Sequence, residues 1–494
     1  MNFYPDKYQD NLETYLRYTG QMDTEGWATS SNKEAGGRYH TNWLNMMFPR
    51  LKLARNLLRA DGVLFASIDD HEAHNLRHLC DEVFGPENFV ANVVWQSRTS
   101  ISNDQEISLN HNHTMIYARD RDQLVFFGEP LKESEYSNPD GDMRGPWKLV
   151  PIDANKPGGN TKFAIRNPLT GEDHYPPNGR SWAFNPEEYR RLYEDGRIKF
   201  GLNDDSAPKK KLFLKERQAK GDTKTPSSLL LDAGTTKSGT SEMMEIFDGK
   251  KVFDYPKPTT LMTRFLEYGC FKDQENIVLD FFAGSAGLAQ ACMEWKSGSA
   301  RFIVVQLPEA IDADKPYGKT ASTLGLNTIA DIAKERLRRV AKKIIGNVSD
   351  QHASKAVGFK VFTLSDSNCM LWDGGSQDVA SSLLCAIENI KEGRTELDIL
   401  YELLLKYGLE LTVSLEQRSI DGKTVYIVGA GALIVCLADG ITLDLVEGIA
   451  ALKAELEPEI MRVVFKDAGF PDDVVKTNTV QILRQAGIDD VKSL

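Results

Sequence analysis

The stretch Asp280-Phe281-Phe282-Ala283-Gly284-Ser285-Ala286-Gly287 has the residue types to hold a small molecule. The apolar run before it, Asn276–Leu279, reads as a buried strand, and the residues after it read as a helix reaching Trp295. A strand that ends in an acid, followed by small residues and a helix, suits a nucleotide-like ligand. Small side chains let the ligand approach the backbone, and the helix start presents unpaired N–H groups. The alternative is an ordinary tight strand-to-helix connection. The turn is not a G-x-G-x-x-G dinucleotide fingerprint, and no G-x-x-x-x-G-K-[ST] phosphate loop occurs.

Other chemistry-bearing residues point less far. His71, His74 and His78 share one face of a predicted helix beside Asp69 and Asp70, the spacing of a metal face, but exposed helix histidines are the preferred reading. The His111-Asn112-His113 triplet leads into the strand-like "HTMIYARD" and is not read as a nuclease motif. The six cysteines include no C-x-x-C pair, which suits a reducing compartment and argues against a zinc ribbon. No metal site is expected.

Around these residues the chain alternates helix and strand. Leu44, Met47, Phe48, Leu51, Ala54, Leu57 and Leu58 define one face of a helix over 42–60, followed by a short strand in "GVLFASI" and a helix from His71 to Phe84. "FVANVVWQ" and "HTMIYARD" are further strands, and the α/β rhythm returns from 252 with "PTTLMTRFLEYG", "NIVLDFF" and "RFIVVQL". Between them, 121–245 is polar and turn-rich. The expected division is 1–120, 121–245, 246–350 and an acidic domain over 351–494.

No apolar run reaches the roughly 18–20 residues of a membrane span, and a cytoplasmic protein is expected. The net charge of −12 warns against a uniformly nucleic-acid-binding surface. It is uneven: 355–494 carries 13 basic against 22 acidic side chains, whereas 121–225 carries 19 against 17. Only the middle of the chain offers an anionic partner a favourable surface.

"VLDFFAGSAG" resembles the S-adenosylmethionine motif of β-class DNA amino-methyltransferases. "NWLNMMFPRLKLARNLLRADGVLFASIDDHE", "PPNGRSWAFNPEEYRRLYEDGRIKFG", "FDYPKPTTLMTRFLEYG" and "VVFKDAGFPDDVVKTNTVQIL" narrow the resemblance to the modification subunit of type III restriction–modification systems, over nearly the whole chain. The resemblance implies a Rossmann-like α/β methyltransferase core, interrupted by a target-recognition region and followed by an α/β domain. It implies transfer of a methyl group from S-adenosylmethionine to adenine N6 in double-stranded DNA, as a homodimer working with a restriction subunit.

Carried onto this sequence, it puts Asp280, Phe281, Phe282, Ala283, Gly284 and Ser285 around the cofactor. Lys257 and Pro258 of "YPKP" complete the pocket, and Gln306 stands where relatives carry an acidic ribose ligand, with Glu309 as a competitor. Ala286 replaces the family's second glycine. In the recognition region, Arg180, Arg197, Lys209, Lys210 and Lys211 are the expected phosphate contacts, against the reading that they are solvated surface charges. Trp147 and Trp182 pack or stack there.

The family's catalytic Asp-Pro-Pro-Tyr, which holds the target amine and stacks on the flipped base, has no match here. "YPPN" at Tyr175–Asn178 has the prolines without the acid or the aromatic. By the family's order the motif is expected upstream of Met1, on a strand between "NIVLDFF" and "GVLFASI". A chain without it is expected to be inactive and to fold poorly by itself. The alternatives are therefore a non-catalytic remnant that binds DNA or the restriction subunit and, less favoured, a dinucleotide-dependent oxidoreductase.

Overall fold

The computed structural model describes residues 40–103, 106–155, 160–347, 357–368 and 390–494. Its contacts divide the chain into two units, 1–357 and 358–494.

Among the described residues, the first unit opens with helix α1 (Thr41–Leu57), strand β1 (Val63–Ile68), helix α2 (Ala73–Phe84) and strands β2 (Phe89–Gln96) and β3 (His111–Ala118). Trp43, Met47, Leu51 and Ala54 recur at helical spacing and form the buried stripe of α1, whereas Leu57, on the predicted face, is exposed where the helix ends. In the sheet, β3 lies between β1 and β2, antiparallel to both. Trp43, Met47 and Leu51 meet Leu76, Leu79 and Phe84 of α2 on one face.

Strands β4 (Trp147–Pro151), β5 (Ile198–Lys199) and β6 (Lys209–Phe213) form a separate small sheet in the order β4-β6-β5. The chain then rejoins the first sheet. Strand β7 (Leu229–Leu230) pairs in parallel with β2, and the helix α3 (Thr236–Ile246) follows. The end of the 121–245 segment therefore belongs structurally to the core.

Helix α4 (Thr259–Gly269) joins two layers. Its Leu261 and Phe265 pack on Val93, Trp95 and Ile116 of the first sheet, while Leu266 packs with Trp295 and Cys292. That second cluster covers one face of the parallel pair β8 (Glu275–Asp280) and β9 (Ser299–Val304) through Val278, Ala300 and Phe302. Helix α5 (Gly287–Glu294) connects the two strands, and α6 (Ile329–Asn347) packs against α5 and α3. The other face of the pair leaves Ile277 63% and Ile303 54% exposed. Among the described residues β8 pairs with β9 alone, and β1 with β3 alone.

The second unit is a five-stranded sheet: β10 (Leu415–Ile420), β11 (Lys423–Val428), β12 (Leu433–Cys436), β13 (Arg462–Phe465) and β14 (Asp490–Ser493), in that order. Side chains alternate across it. Leu433 and Val435 face helix α7 (Glu396–Lys406), and Ile434 and Cys436 face α8 (Leu443–Leu456) and α9 (Asp473–Gln485). The α/β class expected from the sequence is the class observed. No helix among the described residues is long and apolar enough to cross a membrane.

Candidate functional site

The turn after β8 is held from three sides. Within it, the Asp280 carboxylate accepts from the Phe282 N–H at 3.0 Å, and Ala286 N–H donates to Ala283 O at 2.7 Å. From β9, Val305 N–H donates to Asp280 O and Ala283 N–H donates to Val305 O. Gln306 Oε1 accepts from Gly284 N–H at 2.7 Å, so its amide closes the turn. Phe282 reaches out of the turn and packs with the cluster around Trp43 and Leu76.

The third support is Arg336 of α6, wholly buried. Its Nη1 donates to Ser285 Oγ at 2.8 Å and to Ser285 O at 3.1 Å, and its Nε donates to Gln290 Oε1 at 2.7 Å. Burial pulls its pKa down to about 10, against the charges of Glu242 and Glu294. A buried cation on an apolar helix stripe is costly unless its donors are used. Here Nη1 clamps the turn through Ser285 and Nε holds Gln290 of α5, while Nη2 is buried with no hydrogen-bond partner among the described residues. Ala286 of the turn stands in the left-handed region at φ 60°. Gly284, at φ 51°, has open space where a Cβ would stand, with no atom nearer than 3.9 Å.

The Lys257–Pro258 segment lies against this turn: a Cβ on Gly287 would sit 3.7 Å from Lys257 O. Gly239 of α3 fixes that segment, since a Cβ there would come within 2.2 Å of Pro256 O. The result is a half-buried acid beside a lysine, at the carboxyl end of a parallel strand and the start of a helix. Burial lifts the Asp280 carboxyl above its ordinary range, opposed by the Phe282 N–H and by Lys257. The ionised carboxylate is thus short of solvation, which suits it to a cationic or hydroxyl-bearing ligand.

All nine residues expected around a cofactor fall in this one region, and three of them also hold the turn's structure. Ser285 Oγ is engaged by Arg336, Phe282 is an anchor in the core, and Gln306 caps the turn. Arg336 and Gly239 were not anticipated. Each had a signal in the sequence: Arg336 shares the helical stripe of Ile332, Ala333, Leu337 and Val340, and Gly239 interrupts a helix.

The five basic residues expected at phosphates are less uniform. Lys211 is 4% exposed; its Nζ bridges Asp140 at 2.6 Å and Asp142 at 3.0 Å and lies 4.8 Å from the centre of the Trp147 ring. Hydrogen bonds from Arg144, with Lys211 adding, hold Asp142 far below the ordinary carboxylate range. Arg197 is bidentate to Glu216 and also pairs with Asp195, and Arg180 pairs with Asp153. Lys209 and Lys210, half-buried at the start of β6, hold no ion pair of this kind among the described residues. Trp147 and Trp182 are buried packing residues.

The DNA methylase family matches residues 14–304, more than half of the chain. The chain is 33% identical over 368 residues to the Mod subunit of the type III restriction-modification enzyme StyLTI from Salmonella typhimurium, covering 72% of this chain and 53% of that one. It is 34% identical over 370 residues to the EcoPI Mod subunit from Escherichia phage P1, covering 67% and 54%. The chain spans about half the length of the curated relatives it matches. A solved structure, the PvuII DNA methyltransferase (cytosine-N4-specific), is alike at a TM-score of 0.28 and 12% identity, covering 64% of this chain and 82% of that one; a likeness so low carries no argument.

Proposed function

Because this chain belongs to the DNA methylase family, we propose that its Asp280–Gly287 turn binds S-adenosylmethionine and that it acts in adenine-N6 methylation of DNA. The observation that carries this reading is the convergence of Asp280, the open Gly284 and the Lys257–Pro258 segment on one clamped turn at the start of α5. When bound, S-adenosylmethionine supplies an electrophilic methyl group on a sulfonium. Asp280 offers a carboxylate to its polar portion, Gly284 leaves room for it against the backbone, and Phe281 adds an apolar wall. Arg336 and Gln306 hold the turn in shape without needing to touch the ligand.

Lys209 and Lys210 are the residues we assign to DNA phosphates; Arg180, Arg197 and Lys211 shape the recognition segment through their carboxylate partners. No residue of this chain is assigned to holding the target amine. Similarity to the Mod subunits supports DNA and a restriction subunit as partners; that the DNA is double-stranded, and that the chain is a homodimer in the cytoplasm, belong to the same proposal.

Thermal-shift titration tests the reading. S-adenosylmethionine and its demethylated product should each raise the melting temperature of the full chain, and NAD should not. A shift with NAD alone would favour the oxidoreductase alternative.

A further inference from the structure

The junction of β1 and β3 brings together three metal-ligating side chains that the proposed methylation does not use. Ile68, the last residue of β1, pairs with His113. Two residues on, Asp70 reaches back across the first residues of β3. His113 Nε2 lies 2.9 Å from Asp70 Oδ1, and His111 Nε2 lies 3.9 Å from the same oxygen. One ligand atom from each of the three lies within 4.8 Å of the others. His111 and His113, two apart on a strand, face the same side of the sheet, and their rings stand nearly perpendicular with centroids 5.0 Å apart. Around a tetrahedral ion with bonds of about 2.0–2.1 Å, ligand atoms are separated by about 3.3 Å. Side-chain rotation must close this set from within 4.8 Å to that spacing.

A second observation comes from Asn92 on β2. Its Nδ2 is placed 3.1 Å from His113 Nδ1, while its Oδ1 is buried with no hydrogen-bond partner. Exchanging the amide's oxygen and nitrogen lets Oδ1 accept the Nδ1–H of His113 and moves Nδ2 to the buried position. The Nε2 lone pair then faces Asp70 and His111. A ligating histidine is commonly fixed by such a hydrogen bond on its other nitrogen.

We propose that Asp70, His111 and His113 bind one divalent ion of the zinc class, with Asn92 orienting His113 and a remaining position open to water. Two imidazoles and one carboxylate suit zinc, cobalt or nickel better than magnesium or calcium. The ion would tie the turn after β1 to the start of β3. His71, which pairs with Asp69, takes no part.

The test uses tag-free full-length chain, stripped with a chelator and titrated with Co²⁺ while visible absorption is followed, then competed with Zn²⁺. One saturable equivalent is expected. His113→Ala and His111→Ala should each weaken Co²⁺ binding by at least about 100-fold, and Asn92→Ala by about tenfold. A His71→Ala, His78→Ala double variant should bind as the parent does. Asp70→Asn, at an exposed turn, guards against misfolding: it should lose the ion with an unchanged far-UV spectrum. Absence of a saturable Co²⁺ signal, or its survival in His113→Ala, would overturn the proposal and leave Asp70 and His113 as a simple ion pair.

Discussion

Two regions of parallel strands in this chain, β8–β9 and β12–β13, are finished differently. In the second unit, β12 and β13 have both faces covered, with Leu433 and Val435 against α7 and Ile434 and Cys436 against α8 and α9. The β8–β9 pair has one covered face, and among the described residues Ile277 and Ile303 remain largely exposed on the other. Parallel strands are ordinarily covered on both faces, because the helices that connect them lie there. Where the cover is complete, side chains serve stability. Around the end of β8 stand a buried arginine from α6, a left-handed alanine in the turn and a desolvated carboxylate, each costly to the fold. Such costs gather where a chain binds something.

Core deletions should separate the two regions most strongly. Ile434→Ala, at a fully buried site, should cost about 2–5 kcal/mol in denaturant unfolding of the second unit. Ile303→Ala should cost under about 1 kcal/mol. Equal losses would mean that the open face of β9 is packed in solution.

Arg336→Met tests whether the clamp serves binding. It frees Ser285 Oγ and Gln290 Oε1 from their donor, and S-adenosylmethionine affinity should fall about tenfold, the worth of one net hydrogen bond. Unchanged affinity would make the clamp a matter of folding only.

Titration sharpens the role of Asp280. Burial raises its pKa, so the folded chain holds that proton more tightly than the unfolded chain does. Its contribution to stability is greatest below the ordinary carboxylate value of about 4 and is lost as pH rises through the raised one. Cofactor affinity should run the other way, strengthening over the same window as the carboxylate forms. Asp280→Asn should flatten that profile; a profile that persists belongs to another group.

The smallest effect is expected away from both regions. Replacing Lys209 and Lys210 by alanine should lower the slope of log affinity for DNA against log salt by about 2. An unchanged slope would return both lysines to the status of surface charges.

Much of the Asp280–Gly287 turn's structure was legible in the sequence because its residue types act locally: small residues, an acid and a helix start need only each other. Lys211 was less so. In a run of three lysines the charges look alike, but Lys211 shares the buried face of β6 with Phe213 and meets Asp140 and Asp142, while Lys209 sits at the strand's start. Arg336 was hidden for a related reason, since a cation in a basic helix looks solvated until the stripe through Ile332 and Val340 is drawn. Asp70 and His113 lie 43 residues apart, and only strand pairing joins them.

Calorimetric titration of S-adenosylmethionine into the full chain, beside Asp280→Ala and Ile303→Ala, tests the central claim most directly. Saturable binding to the parent and to Ile303→Ala, weakened at least tenfold in Asp280→Ala (about 1.4 kcal/mol), is the predicted result. Equal affinity in parent and Asp280→Ala would contradict it and remove this turn from the site.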